Sequence, residues 1–495
     1  MRPYLGYPAA MSTPVSTLLW FRQDLRVTDN EALAAAIEIG APIVPVFIFS
    51  PEEEGTWAPG GASRWWLHGS LFRLDEDLRR LGSRLILRRS HDSCQELLQL
   101  ARECNAKHVL WNRRYEPCIV ARDRRVKSEA LEAALEAHSF NGTLLREPWS
   151  VSTKAGAAYQ VFTPFWRHCL SLTDPLPPLA SPHRMPANDA WPDSLPLEHL
   201  KLLPRINWAG AIDAAWIPGS VSAQASLELF MSQAFDEYGG NRDRPDIAGT
   251  SRLSPHLHFG EISPREVWHA VRRFALARGQ HSTWRESRFL TELGWREFAH
   301  HLLYHFPHLP DEPLNPRFAN FPWNSDPQGL SAWQRGTTGY PIVDAGMRQL
   351  WQTGWMHNRV RMIAASFLVK DLLLPWAQGA RWFWDTLVDA DLANNTLGWQ
   401  WVAGCGADAA PYFRIFNPVT QATRFDPDGT YVRGWVPELA RLPREWIHRP
   451  WAAPPSVLSD AGVQLGITYP QRLIDHDRAR LAALTALATL KNPAG

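Results

Sequence analysis

The chain has 495 residues, of which 45% are hydrophobic and 20% charged, and its formal net charge is +1. That composition excludes a disordered or fibrous protein, and the length calls for more than one core. The near-zero charge provides no global attraction to nucleic acid, so any such binding needs a local basic patch.

No run of 18 apolar residues occurs, so no membrane-spanning helix is expected. The opening MRPYLGYPAAMSTPVS lacks the apolar stretch of a secretory signal, and Met11 is a candidate start. Five cysteines form no CxxC pair and leave an odd count. A disulfide scaffold or zinc ribbon is therefore not expected, and a reducing cytoplasm fits. Tryptophan is abundant: 25, against 10 tyrosines.

In chain order, Thr17–Phe21 is a short apolar run, followed by a helical stretch from Asn30 to Ile39. Ile43–Phe49 is a second strand-like run, β-branched and aromatic. The pattern then predicts a helix over Trp65–Leu81, a strand at Arg84–Leu87, a helix at Cys94–Glu103 and a strand at His108–Trp111. Strands alternating with helices predict a parallel α/β sheet. Neither GxGxxG nor GxxxxGKS occurs, so the usual phosphate loops are missing.

Seven prolines between Pro175 and Pro196, with few periodic apolar residues, mark a long connector that wraps one of the domains. Beyond Ser222 the periodicity is helical: Ala223–Tyr238, Pro264–Arg278, Trp284–His305, Ile342–Thr353, Asn358–Lys370 and Ala380–Val388. Ser263-Pro264-Arg265-Glu266 reads as a capping box. The expected organisation is a Rossmann-like parallel α/β domain at 16–145, a connector at 146–221 and a large all-α domain at 222–487.

Five constellations could carry chemistry. In Gly249–Pro255, Thr250, Ser251 and Ser254 offer hydroxyls and Arg252 a charge, which suits a diphosphate; the alternative is a helix cap at Ser254. Glu292, Trp295 and Arg296 share one helical face and suit a base, or form a surface pair beside a core indole. His301 and His305 are spaced i, i+4, but no acidic third ligand makes zinc plausible. Polar residues of Gly354–Met362 lead straight into a buried-looking helix and need partners, with Asn358 and Met362 on one face. Asp389–Trp401 holds two carboxylates, two amides and two indoles; an Asx-rich turn is the alternative, and the loop lacks the Gly and Glu of an EF-hand. Trp323, Trp376 and Trp399 could pass an electron hole, although most indoles are simply core.

Together LLWFRQDLRVTDN, GTSRLSP, GWREF, TGYPIVDAGMRQL, GWMHNRVRM, FLVKDLL, DADLANN, GWQW and DAAPYFRIFNP resemble the photolyase/cryptochrome family over residues 16–480. The resemblance implies an α/β antenna domain joined to a helical domain that holds FAD. It assigns Tyr238 and Thr250, Ser251, Arg252, Leu253 and Ser254 to the FAD phosphates and ribityl chain. It sets Asp389, Ala390 and Asp391 against the flavin and ribose, pairs Arg361 with Asp389, and puts Asn395 at flavin N5. An amide there suits fully reduced flavin. Trp399, Trp376 and Trp323 take the positions of the family's electron relay.

The resemblance also selects a lesion. Cyclobutane pyrimidine dimer photolyases use residues matching Glu292, Trp295, Asn358, Met362 and Trp401, whereas (6-4) photolyases place histidines where Asn358 and Met362 stand. Arg242, Arg296, Arg359 and Arg414 match phosphate-contacting positions on UV-damaged DNA. The implied reaction is light-dependent repair, by electron transfer from excited FADH⁻ to the flipped-out dimer. Tyr115-Glu116 is not followed by the Asn-Glu pair that binds methenyltetrahydrofolate in enterobacterial photolyases, and the local sequence resembles class III photolyases. Folate remains the favoured antenna over deazaflavin. Only Cys405 lies in the helical domain, so no iron–sulfur cluster is expected. The family is usually monomeric. The alternative is a blue-light cryptochrome photoreceptor, disfavoured by Asn395, by the dimer-facing set and by the chain's end at Gly495.

Overall fold

The computed structural model describes residues 15–490 except 187, 189, 207, 281–282 and 409–412. Met11 and residues 409–412 of the DAAPYFRIFNP motif lie outside the described residues. Strands β1 (Ser16–Phe21), β2 (Ile43–Phe49), β3 (Ile86–Arg89), β4 (Ala106–Asn112) and β5 (Glu136–Phe140) form one sheet in the order β3-β2-β1-β4-β5. Every pairing is parallel. Parallel strands need crossovers, supplied by α1 (Glu31–Ile39), α2 (Gly61–Arg80), α3 (Ser93–Glu103) and α4 (Pro117–Glu132). Alternate residues of β1 and β2 enter different cores. Leu19, Phe21 and Phe47 face one, and Leu18, Trp20, Val44 and Val46 the other, as a sheet covered on both faces requires.

The proline-rich part of the connector lies along the N-terminal domain. Leu195 N donates to Leu87 O at 2.9 Å and Met185 N to Leu81 O at 3.0 Å, so the segment runs beside the β3 edge and covers it. The connector also contains a helix that the sequence pattern does not announce, α5 (Phe162–Ser171).

The helical part comprises, among others, α6 (Ser220–Gln233), α7 (Pro264–Leu276), α8 (Arg288–His305), α9 (Pro341–Thr353), α10 (Asn358–Ser366), α11 (Trp376–Thr386), α12 (Leu392–Ala403) and α13 (His476–Thr489). Several boundaries differ from expectation. The helix expected to run to Tyr238 stops at Gln233. The one expected from Trp284 is broken at Ser287, whose hydroxyl accepts from Leu290 N and starts α8. The one expected to reach Lys370 passes at Phe367 into a π-helix, Phe367–Asp371. The capping box at Ser263 and Glu266 is formed with both of its bonds.

A buried polar network fastens the two domains. Asp29, fully buried, accepts from Ser263 Oγ, from Arg265 Nη2 at 2.6 Å and from Leu179 N at 2.9 Å. Glu261 accepts from Trp66 Nε1 at 3.1 Å and from Ser70 Oγ at 2.5 Å, and also bonds His256. Asp29→Ala leaves Arg265, whose side chain is 11% exposed, with Glu31 as its remaining partner, and strips Ser263 Oγ and Leu179 N of a buried acceptor. It should cost about 3–5 kcal/mol in chemical denaturation, whereas a loss below about 1 kcal/mol would show that water already screens the pair.

Candidate flavin and lesion site

The carboxylate of Asp389 is the point where three segments converge. Arg361 Nη2, from the second turn of α10, donates to Asp389 Oδ2 at 2.8 Å. Arg361 Nε is fixed by Met356 O at 2.7 Å. Ser254 Oγ donates to the same Oδ2 at 2.6 Å. Ser254 is therefore no helix cap: the cap position of the short helix Ser254–His258 is Leu253, and the hydroxyl serves Asp389 instead. Asp389 Oδ1 is buried and has no partner. The N–H groups of Thr250 and Ser251 donate to no acceptor among the described residues. Unpaired backbone donors beside hydroxyls suit a phosphate, so these residues fit the charge and hydrogen-bonding needs of FAD.

Arg252 is different. Its φ is +53° and its guanidinium lies 4.0 Å from the Trp216 ring centroid, so it stacks rather than faces the run it belongs to. Tyr238 is 8% exposed and packs edge-on against Phe289; burial pushes its phenol well above the ordinary range.

Asp391 caps α12, accepting from Asn394 N at 2.8 Å. The sequence signal for a turn and the helix are thus the same feature. Burial alone would raise this carboxyl, but His300 and His258, 3.4 and 3.5 Å from Oδ2, hold it well below the carboxylate range. Asn395, half-buried one turn on, donates its amide to Ala380 O at 3.1 Å. Ala390 and Leu253 are buried apolar spacers.

The three relay candidates lie in one hydrophobic cluster with graded burial. Trp399 is 2% exposed, Trp376 is 6% exposed and Trp323 is half-buried at the cluster edge. A Cβ on Gly379 would stand 2.1 Å from the Trp399 ring, so only glycine lets α11 approach the indole this closely.

On the outer side, α12 packs against both α8 and α10. Glu292 on α8 bonds Arg242, whose Nε lies 3.9 Å from Asp243. Asp243 in turn pairs with Arg359 Nη2 at 2.8 Å. This chain of charges joins Glu292 to the start of α10, where Asn358 is exposed and Met362 half-buried on the same face. Burial raises the Glu292 carboxyl, and Arg242 opposes that rise. Trp295 stacks on Phe162 with centroids 3.8 Å apart, so the connector helix α5, unanticipated from sequence, builds part of this wall. Trp401 is half-buried under the exposed Arg414, 5.8 Å away. Arg296 stands apart from the other arginines. It donates to Thr143 O at 2.7 Å and its side chain is 11% exposed, so it fastens the domains together and does not face outward.

His357 also belongs to this region, and the sequence reading did not single it out. Its Nδ1 accepts from Arg359 N and fixes the start of α10, while burial pushes its imidazole down to about 4, leaving it neutral. Among the described residues no helix is long and apolar enough to cross a membrane, and no cluster of ligating side chains could hold a metal.

Two family descriptions match: "DNA photolyase" over residues 17–183 and "FAD binding domain of DNA photolyase" over residues 289–489. The chain is 49% identical to a deoxyribodipyrimidine photo-lyase of Agrobacterium fabrum, over 96% of this chain and 98% of that one. It is 42% identical to cryptochrome-1 of Arabidopsis thaliana, over 96% of this chain and 70% of the relative. Among solved structures, a bacterial class III photolyase from Agrobacterium tumefaciens superposes with a TM-score of 0.93 at 48% identity, covering 98% of this chain and all of that one. Fold, cofactor domain and near full-length identity agree: the chain belongs to the DNA photolyase/cryptochrome family.

Proposed function

We propose that this protein repairs cyclobutane pyrimidine dimers in DNA, using light absorbed by bound, fully reduced FAD. The observation that supports this lesion is the charge chain from Glu292 through Arg242 and Asp243 to Arg359, which ties Glu292 to the Asn358–Met362 face. FAD, when bound, supplies the photoexcited electron. The protein's own groups do the rest. Glu292 hydrogen-bonds the thymine edge, and Trp295 and Trp401 offer the flat apolar walls that an unstacked lesion needs. Asn358 and Met362 close the pocket with an amide and a soft thioether. Arg242, Arg359 and Arg414 meet backbone phosphates, which positions the duplex without reading sequence. Thr250, Ser251 and Ser254 would hold phosphate and ribityl oxygens, Asp389 and Asp391 would hold the flavin and ribose, and Asn395 would offer its amide to the flavin ring. Trp323, Trp376 and Trp399 would pass an electron inward, the outermost indole being re-reduced by a reductant in solution. A folate is the antenna we favour, and the protein acts as a monomer on cytoplasmic DNA.

The test is recovery of intact thymines from an oligonucleotide carrying one defined dimer, under blue light, beside the same assay on a (6-4) lesion. Recovery from the cyclobutane substrate alone is expected. No recovery by a flavin-loaded, photoreducible sample would overturn repair in favour of the photoreceptor. Glu292→Ala should lower repair per absorbed photon by about tenfold, the worth of one charge-assisted hydrogen bond, with a smaller change in DNA affinity. A change confined to affinity would remove Glu292 from the chemistry.

A further inference from the structure

We propose that Asp243 competes with DNA phosphate for Arg359, and gives the arginine up when a lesion engages Glu292. The exchange rests on the function proposed above and makes its DNA grip conditional. Glu292, Arg242, Asp243 and Arg359 form one chain of charges. Two positive and two negative groups cancel, so this part of the face has no net charge with which to attract a polyanion. The two arginines are also occupied. Arg242 bonds Glu292, and Arg359 Nη2 pairs with Asp243 Oδ2 at 2.8 Å, its only carboxylate partner among the described residues. A phosphate oxygen therefore reaches Arg359 only where that carboxylate withdraws.

The geometry provides a place for it to withdraw to. Asp243 divides its two oxygens between the arginines: Oδ2 faces Arg359, and Oδ1 lies 3.9 Å from Arg242 Nε. The second distance is too long for a hydrogen bond, so that position is open while Glu292 holds Arg242. When Glu292 turns to a thymine edge, Arg242 loses its acid, and Asp243 is the nearest replacement. Asp243 then closes on Arg242 and leaves Arg359. The freed guanidinium keeps its seat on the Phe425 ring, 4.5 Å from the centroid, and its Nε is without a partner. It is held in place for a phosphate. The four side chains are 17–31% exposed, so water reaches every pair and none is too strong to exchange. On undamaged DNA nothing draws Glu292 away, Asp243 stays on Arg359, and one phosphate contact is withheld.

FAD-loaded full-length protein is titrated in the dark against labelled duplexes, one undamaged and one carrying a cyclobutane thymine dimer, over a series of salt concentrations. Asp243→Asn should tighten binding to the undamaged duplex by about fivefold or more and steepen its log–log salt dependence by about 0.9, the share of one added phosphate contact. Affinity for the dimer duplex should change less than about twofold, since Arg359 is already free there. Asp243→Glu should behave as the wild type, and adding Arg359→Ala to Asp243→Asn should remove the gain. Visible absorbance should show unchanged flavin content in each variant. Weaker or unaltered binding of undamaged DNA by Asp243→Asn would make Asp243 a residue that aligns the arginines, and would overturn the proposal. Equal tightening on both duplexes would overturn it too, leaving only a change of surface charge. A wild-type protein that neither prefers nor repairs the dimer removes the functional reading and this exchange together, whereas intact repair with no effect at Asp243 removes the exchange alone.

Discussion

Trp399→Phe abolishes light-driven reduction of the bound flavin while repair by chemically pre-reduced protein persists. Phenylalanine keeps an aromatic ring in the slot formed by Phe383, Trp333 and Gly379, so packing loss is small, about 1–2 kcal/mol. What it removes is an oxidisable indole. Trp399 is the most buried of the three relay candidates, so its loss separates the flavin from Trp376 and from the half-buried Trp323. Transient absorption after a light pulse, run beside a dimer-repair assay on dithionite-reduced protein, separates the two activities. Equal loss of both would mean that Trp399 supports the fold of the site and not electron supply.

Arg361→Ala gives a protein that purifies without FAD. The substitution leaves Asp389, whose side chain is 3% exposed, with Ser254 as its remaining partner. Removing one member of a mostly buried pair costs about 3 kcal/mol, because the other charge stays desolvated. Arg361→Lys restores only part of the loss, since a point charge cannot bond Asp389 and Met356 O together as the guanidinium fork does. Visible absorbance per protein, and the rise in Tm on adding FAD, measure the effect. Stoichiometric flavin in the alanine variant would remove the pair from the cofactor site.

The parallel sheet was legible in the sequence because β1 and β2 are unbroken apolar runs, the signature of strands covered on both faces. β5, Glu136–Phe140, was not: an edge strand of mixed polarity carries no such run. α4 escaped notice because only Ile119, Val126 and Ala130 of its sixteen residues are buried, too thin a stripe among the charges. In the site, residue types were legible and directions were not. Ser254 has the sequence of a cap, and only the approach of Asp389, 135 residues later, turns its hydroxyl elsewhere. Arg296 shares a helix with Glu292 and Trp295, yet a carbonyl from the other domain claims it. Phe162 lies in the connector, and its packing against Trp295 is announced by no local pattern.

The polar seam between the two domains determines an angle as well as a contact. Apolar faces slide over one another at little cost, whereas the bonds of Asp29 and Glu261 lose strength steeply with misalignment. A rotation of the domains by a few degrees would disturb all of them together. Dipolar energy transfer between two pigments depends on the angle between their transition moments as well as on distance. A seam that forbids rotation would therefore fix the angle between a flavin held by the helical domain and any second pigment carried by the α/β domain.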